Sequence, residues 1–419
     1  CRCASTLALP LLLTISPLLA RYSRRVRDGY DDFLGNFKPQ GGRQNLWIHG
    51  VSMGESMVAM GLIRELKRRF PHLDIVFTTT HPDVLASVKK NAQVKDAAYF
   101  PLDNLVTIRR ALKRWEPAAV FVVETDFWPE FSWNCRVRGI PLVLINGRIS
   151  EKLASFYARF RSLASLIFNS YRLLLVQSQA DYDRLLRCGA EASRIKILGN
   201  IKADLTASPS RIDDSFMTRW LKGRQCLVFG SLHPVEFAAL QTVIEKLSQK
   251  YAVLLAPRNP ANAFLWQQKL ELNGVKAALR SSQPGADFSI MALDSMGELA
   301  ALYEYADVAF VGGSMNAGAG GHNPLEVIFH KVPLIMGSDY RNFADVVNQL
   351  KAEGGIRLAV NADEVLAAFN EILSDKQAAE KLAASALNVL TASLGVLDKT
   401  VEAVKEFLPP DSSTELTGG

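Results

Sequence analysis

Short apolar runs alternate with amphipathic helical stretches along the chain, and after a break the pattern starts again. In the first half, strand-like runs stand at Leu46–His49, Ile75–Thr78, Ala118–Val123, Leu142–Ile145 and Leu173–Val176. Helical patterns fall between them at Met57–Arg69, Val106–Trp115 and Ser155–Leu166. Beyond Ser208-Pro209-Ser210 the alternation resumes with strands at Cys226–Phe229, Ala252–Leu255, Val308–Val311 and Pro333–Met336. Helices are expected there at Val235–Lys250 and Ala261–Leu272. Strand–helix alternation of this kind builds parallel sheets with helices on both faces. The expected fold is therefore α/β, two Rossmann-like doubly wound domains facing a central cleft, with ligands at the carboxyl ends of the strands. The divisions follow: 1–27 an anchor and basic flank, 28–203 the first domain, 204–214 a linker, 215–385 the second domain, and 386–419 a helix and tail. A chain of 419 residues is long enough for two such cores.

The net charge of +6 is uneven. Between Arg21 and Arg172 there are 24 Lys/Arg against 14 Asp/Glu, a net of +10, which leaves −4 for the rest. A basic first half points to an anionic partner for that half. No zinc finger, aromatic RNA-binding motif or basic heptad points to nucleic acid. The apolar run Thr6–Ala20, interrupted by Pro10 and Pro17, is followed by Arg21, Arg24, Arg25 and Arg27. Charge after rather than before the apolar stretch reads as a membrane anchor, spanning or interfacial, with the body on the cytoplasmic side; the alternative is an amphipathic first helix docked on the protein. Five cysteines without paired spacing imply no disulfide framework.

Four motifs carry candidate chemistry. In Val308–Glu326, a strand ends in Gly312-Gly313-Ser314 and the chain reopens at Asn323-Pro324 as a new helix, with Asn323 the cap and Pro324 its first residue. A glycine-rich loop at a helix start offers bare N–H groups to a phosphate, and Glu326 can accept hydrogen bonds from a ribose. In Trp47–Ser56, the Ser52-x-x-Glu55 spacing is a capping box, and it equally suits Glu55 as a general base; the sequence leaves both open. A helix start favours an ionised carboxylate, ready at neutral pH. Glu124 to Glu130 places three carboxylates after a buried strand; Glu124 is the one to orient an acceptor or tune Glu55, while Asp126 and Glu130 read as flanks of the Trp128-Pro129 helix start. Cations and donors then gather in Gly199–Lys202, Gly230-Ser231-Leu232-His233-Pro234, Pro257-Arg258-Asn259-Pro260 and Asp294–Leu299. Lys202 and Arg258, both at strand ends, suit a nucleotide phosphate. The chain has no Gly-x-x-x-x-Gly-Lys-Ser/Thr loop, no His-Glu-x-x-His and no metal spacing among its six histidines, so neither nucleotide hydrolysis nor a metal site is expected. Asp181-Tyr182-Asp183 reads as a solvated helix start.

Taken together, these motifs resemble the Kdo transferases, which attach 3-deoxy-D-manno-octulosonic acid (Kdo) to the lipid A precursor. The family's Ser-x-Gly-Glu turn is matched by Ser52 to Glu55, and its Asn-Ala-Arg-Leu-Ser by Asn146 to Ser150. Gly199–Lys202, Asp294–Leu299 and Gly320–Glu326 stand intact, whereas Glu124–Glu130 departs at Asp126, Phe127 and Glu130. Pro-Arg-His-Pro has become Pro257-Arg258-Asn259-Pro260, and Ser-Thr-His has become Ser231-Leu232-His233.

The resemblance implies a GT-B fold, a CMP-Kdo donor, no metal or other cofactor, and a lipid A precursor acceptor at the cytoplasmic face of the inner membrane. It implies inverting transfer with Glu55 as base and with Ser52, Gly54, Glu124 and Arg148 on the acceptor side. Lys202, Ser231, His233, Arg258, Ser314, Asn323 and Glu326 would then engage the donor, with Met296 and Gly297 offering backbone to the cytosine. The alternatives are another GT-B glycosyltransferase or an epimerase using a UDP-sugar, and a membrane-anchored nucleotide-sensing module.

Overall fold

A computed structural model describes residues 29–38, 45–205 and 214–411. The chain forms two compact units, one running to Leu205 and resuming at Gly395, the other holding the residues between.

The first unit is a seven-stranded, all-parallel sheet in the order β3-β2-β1-β4-β5-β6-β7. Its strands are β1 (Asn45–His49), β2 (Asp74–Thr79), β3 (Asp96–Tyr99), β4 (Ala119–Val123), β5 (Leu142–Gly147), β6 (Leu173–Val176) and β7 (Ile195–Ile197). Alternate side chains of each strand leave opposite faces, so the sheet divides the core in two. Trp47, Val120 and Val122 enter one half with Trp115, Phe131 and Phe168. Leu46, Ile48, Phe121 and Val123 enter the other with Val58, Leu62 and Leu66. The functional helices here are α1 (Met53–Arg69), α2 (Pro129–Val137), α3 (Glu151–Arg159), α4 (Arg161–Phe168) and the short α5 (Lys202–Leu205). α5 sits hard on α1, because a Cβ at Gly61 would lie 2.1 Å from the Leu205 side chain.

The second unit repeats the plan in the order β10-β11-β9-β8-β12-β13-β14, again all parallel. Its strands are β8 (Cys226–Leu232), β9 (Ala252–Pro257), β10 (Ala277–Leu279), β11 (Ile290–Ala292), β12 (Val308–Val311), β13 (Leu334–Met336) and β14 (Arg357–Leu358). Two of its helices matter to function, α6 (Pro234–Ser248) and α7 (Leu325–Phe329). In each unit the strand order reverses beside the first strand, at β1/β4 and at β8/β12, which is where doubly wound sheets bind ligands.

Two features depart from the sequence reading, and a third moves one of its boundaries. Strands of two to four residues (β3, β7, β10, β11, β14), all but β11 at a sheet edge, are too short to show a pattern. The single helix expected over Ser155–Leu166 is two, α3 and α4, broken at Phe160 (φ −117°, ψ 44°). The chain also returns from the second unit at Gly395, and α8 (Val396–Val404) buries Val396, Val401 and Val404 in the core of the first. Asp204 fastens this return, accepting the N–H groups of Gly395 at 2.7 Å and Leu397 at 2.6 Å. Among the described residues no helix is long and apolar enough to cross a membrane, and the Thr6–Ala20 run lies outside those residues.

Candidate active site

At the switch point of the first unit, β1 ends in buried His49 and the chain turns through Gly50 and Val51 into α1. Ser52 caps that helix, its hydroxyl accepting the Glu55 N–H at 3.2 Å. Glu55 Oε2 accepts in return from Val51 N (2.6 Å) and Ser52 N (3.3 Å). The capping box is therefore real, yet it occupies only one carboxylate oxygen; Oε1 has no hydrogen bond among the described residues. The helix start favours the ionised carboxylate, and burial acts against it. Burial, the largest influence, raises the Glu55 pKa; the Val51 N–H opposes it and the charge of Glu124 adds to it. The result is a stronger base than an exposed glutamate.

Glu124 directly follows β4 in a left-handed conformation (φ 65°), which swings its side chain toward the loop after β7. There Lys202 Nζ lies 2.8 Å from Glu124 Oε1. Asn146 braces the pair, donating to Glu124 and to Asn200 at 3.3 Å each and accepting from Ile201 N at 3.0 Å. Lys202 Nζ also stands 3.7 Å from where a Gly54 Cβ would be, so bare backbone at the start of α1 gives the ammonium room. Arg148, half-buried, donates its backbone N–H to Glu124 O at 3.3 Å. Ser52, Gly54, Glu55, Glu124, Arg148 and Lys202 are thus neighbours in one unit, and Lys202 does not belong to the second.

Asp126 was read as a helix flank, and the structure gives it a different place. Burial, then the charges of Glu55 and Glu124, push its pKa up to about 7. Its buried Oδ2 has no hydrogen-bond partner among the described residues and lies 3.6 Å from His49 Nε2. That nitrogen is already an acceptor, taking the Trp128 indole N–H at 3.1 Å, while Nδ1 lies 3.0 Å from Thr78 O. Burial holds the His49 pKa down to about 3, so the ring is neutral and offers Asp126 no charge. Glu130 lies in the first turn of α2, as expected, and accepts the Asn134 amide at 2.7 Å. Asp181, read as solvated, is buried; it accepts the Ile149 N–H at 2.9 Å and so fixes the loop carrying Arg148.

In the second unit, β8 bulges at Gly230–Ser231, with Ser231 at φ 54°, and leads into α6. His233 Nε2 meets His322 Nε2 at 2.9 Å, their rings parallel within 3°. One nitrogen must carry a proton and the other must not. The His322 pKa falls to about 4 through burial, then Arg258 and His233. Burial raises the Glu326 pKa, opposed by the Asn323 hydrogen bond and then by the charge of Arg258. Asn323 Nδ2 donates to Glu326 Oε1 at 3.0 Å. His233, Arg258, His322, Asn323 and Glu326 thereby form one cluster.

The helix after Asn323 begins one residue later than expected. Pro324 is its cap, and Asn323 reaches Leu325 N at 3.1 Å from outside it. α7 has only five residues, too few for much of a dipole. Ser314 is fully buried within the loop, where its hydroxyl donates to Val311 O (2.6 Å) and accepts from Gly337 N (2.8 Å). Both bonds go to backbone, one at the end of β12 and the other just after β13. Met296 is exposed and Gly297 has φ 89°, in an open turn before Leu299.

Sequence reasoning missed Glu236. It is fully buried, and its two oxygens accept four backbone N–H groups: His233 (2.9 Å), Gly313 (2.7 Å), Ser314 (3.0 Å) and Met315 (2.8 Å). A carboxylate so held ties the start of α6 to the glycine loop after β12. The signal in the sequence was its position, three residues after His233, the capping-box spacing already noticed at Ser52 and Glu55.

Two consecutive doubly wound sheets, each gathering polar side chains at its switch point, are the architecture of the GT-B fold. A solved UDP-N-acetylglucosamine 2-epimerase shares this fold, with a TM-score of 0.57 and 14% identity over 90% of this chain and 99% of that one. At that identity the likeness speaks for the fold alone. Residues 27–205 match the family model described as 3-deoxy-D-manno-octulosonic-acid transferase. The 3-deoxy-D-manno-octulosonic acid transferase of Haemophilus influenzae is 31% identical over 417 residues, covering 95% of this chain and 96% of that protein. Its counterpart in Chlamydia muridarum is 28% identical over 355 residues, covering 82% of each. The chain belongs to the Kdo transferase family of glycosyltransferases.

Proposed function

We propose that the protein transfers Kdo from CMP-Kdo to the lipid A precursor with inversion at the anomeric carbon, without a metal, at the cytoplasmic face of the inner membrane. One observation supports the mechanism: a buried glutamate with raised pKa has one oxygen without a hydrogen bond among the described residues, at the switch point of the first unit. The acceptor hydroxyl gives its proton to Glu55 Oε1 as its oxygen bonds to the anomeric carbon. The bond from that carbon to the CMP phosphate breaks, and CMP leaves with the electron pair. Because a phosphate is a good leaving group, the base carries most of the acid–base work.

Ser52 and the open backbone at Gly54 hold the base in place, while Glu124 and Arg148 orient the acceptor. Lys202 has ammonium hydrogens beyond the one given to Glu124, and they suit an anion. Arg258 and the His233–His322 pair suit the donor's phosphate and carboxylate, with Ser231 beside them. Asn323 and Glu326 suit the ribose, and Met296 and Gly297 the base. The basic first half and the apolar Thr6–Ala20 run support a membrane setting and a phosphorylated lipid acceptor.

The test is donor choice. Purified protein given the lipid acceptor should release CMP from CMP-Kdo, add Kdo to the lipid, and ignore UDP-sugars. Turnover of a UDP-sugar in its place, or CMP release with no glycosylated lipid, overturns the reading.

A further inference from the structure

We propose that α3 and α4 of the first unit form a lipid-docking face, seating on an anionic membrane surface that delivers the acceptor. The inner sides of these helices are ordinary core: Ala154, Ala164, Ile167 and Phe168 are buried, with Tyr157 packed against them. Their outer sides are not ordinary surface. Phe156, Phe160, Leu163 and Leu166 are 59%, 52%, 55% and 45% exposed. Two short consecutive helices thus display four large apolar side chains, and contiguous apolar surface of this kind marks an interaction site.

Charge selects the occupant. From Lys152 to Ala180 the sequence holds Lys152, Arg159, Arg161 and Arg172 and no acidic residue. All four cations are exposed, and none pairs with a carboxylate among the described residues. The nearby acids are engaged elsewhere, Glu151 with Arg184 and Arg187, and Glu191 with Arg194. Apolar side chains flanked by unpaired cations fit the boundary between acyl chains and anionic headgroups.

A second observation points the same way. Past the end of α4, a hollow of about 250 Å³ is lined by Arg136, Arg172 and Arg194 together with Asn169 and Ser170. Arg194 is held by the carbonyls of Asn169 and Tyr171, whereas Arg136 and Arg172 pair with no carboxylate among the described residues. Leu163, Leu166 and Asn169 lie three apart, so the apolar row of α4 leads toward this hollow. Its size and three guanidinium groups suit a phosphodiester headgroup. At its other end the face begins at Ser150, the α3 cap directly after the Arg148 loop. Headgroup hollow, apolar row and the rim beside the candidate base therefore follow one another along the unit.

The inference draws on the proposed function only for its purpose, a lipid-borne acceptor; attachment itself is measured separately. Because the Thr6–Ala20 run can bind membrane by itself, the full chain is used and insertion is read locally. A polarity-sensitive fluorophore is placed on Leu163→Cys, with Cys1 and Cys3 changed to serine, and a control carries it on Leu272→Cys in the second unit. Vesicles of phosphatidylcholine with phosphatidylglycerol should brighten the probe at 163 and leave the probe at 272 unchanged. The double variant Arg159→Glu, Arg161→Glu should lower the ratio of inserted to free probe by about thirtyfold, each cation near a lipid surface being worth about fivefold. Transfer to a detergent-dispersed acceptor by that variant serves as the folding control. If the chain sediments with vesicles while the probe at 163 stays in water, the docking face is wrong. Brightening with protein concentration and no vesicles would assign the face to a second copy and overturn the proposal equally. Insertion without any Kdo transfer would sink the proposed reaction and leave this face standing.

Discussion

Glu55 and Glu236 occupy the same place in two copies of one fold. Each is the third residue of the helix that follows the first strand of its sheet, and each closes a capping-box arrangement. Glu236 uses both oxygens on four N–H groups from two loops, whereas Glu55 uses one oxygen on two N–H groups of its own turn. A carboxylate whose lone pairs are all engaged is a structural clamp; one with an oxygen to spare can take a proton. The surroundings follow the same division. Around Glu55 stand Asp126 and Glu124 with Lys202, an environment for moving protons. The glycine loop clamped by Glu236 adjoins His233, His322 and Arg258, an environment for holding anions.

Substitutions can test this contrast, beginning with the largest effect. Glu55→Gln should lower kcat by about 10²–10⁴-fold while CMP binding and melting temperature hold, because glutamine still satisfies the capping N–H groups. Retained transfer would falsify the base assignment. Glu236→Ala leaves four buried N–H groups without an acceptor and should cost about 4 kcal/mol. Calorimetry should then show a melting temperature lower by on the order of 10 °C; an unchanged transition would mean that Glu236 does not clamp the loop.

Asp126→Asn comes next. In the folded chain Asp126 titrates near 7 instead of its ordinary 3.8. The folded state therefore holds more protons than the unfolded state between those values, and stability falls as pH rises through that window. Asparagine removes the penalty, so the variant should gain about 4 kcal/mol on the parent by about pH 8 and little at about pH 4. Denaturant titrations at the two pH values check it, and parallel behaviour of variant and parent would remove Asp126 from the carboxylate cluster. The smallest effect is expected from Ser52→Ala. It leaves the Glu55 N–H uncapped at about 1 kcal/mol, measurable as a shift in the denaturation midpoint; a Glu236-sized loss would erase the distinction between the two turns.

The elements that position the site were legible because both sheets are parallel and buried on both faces. Such strands are continuous apolar runs, as in Ala119–Val123 and Val308–Val311. The edge strands were hidden, since Ile195–Ile197 has only one buried residue and Arg357–Leu358 has none. Phe160 ends a helix without glycine or proline, so periodicity ran straight through it. Site residues could be read where a strand ends and a helix begins, as at Ser52 and Glu55. Spacing could not show that Lys202 pairs with Glu124, 78 positions earlier, or that the hydroxyl of Ser314 turns inward. Nor could it show that Asp126 loses its water to burial. Each of these depends on a neighbour supplied by a different strand.

The return of the chain at Gly395 bears on synthesis. Val396, Val401 and Val404 complete a core begun by residues near position 46, and Asp204 waits for amide groups made 191 and 193 residues later. On the ribosome, the first unit to emerge is the last to close, and the unit encoded in between can finish folding before it. A premature stop just before residue 395 would leave the later-made unit whole and strip the earlier one of an α-helix, opening the core that Val396, Val401 and Val404 complete to the cell's proteases.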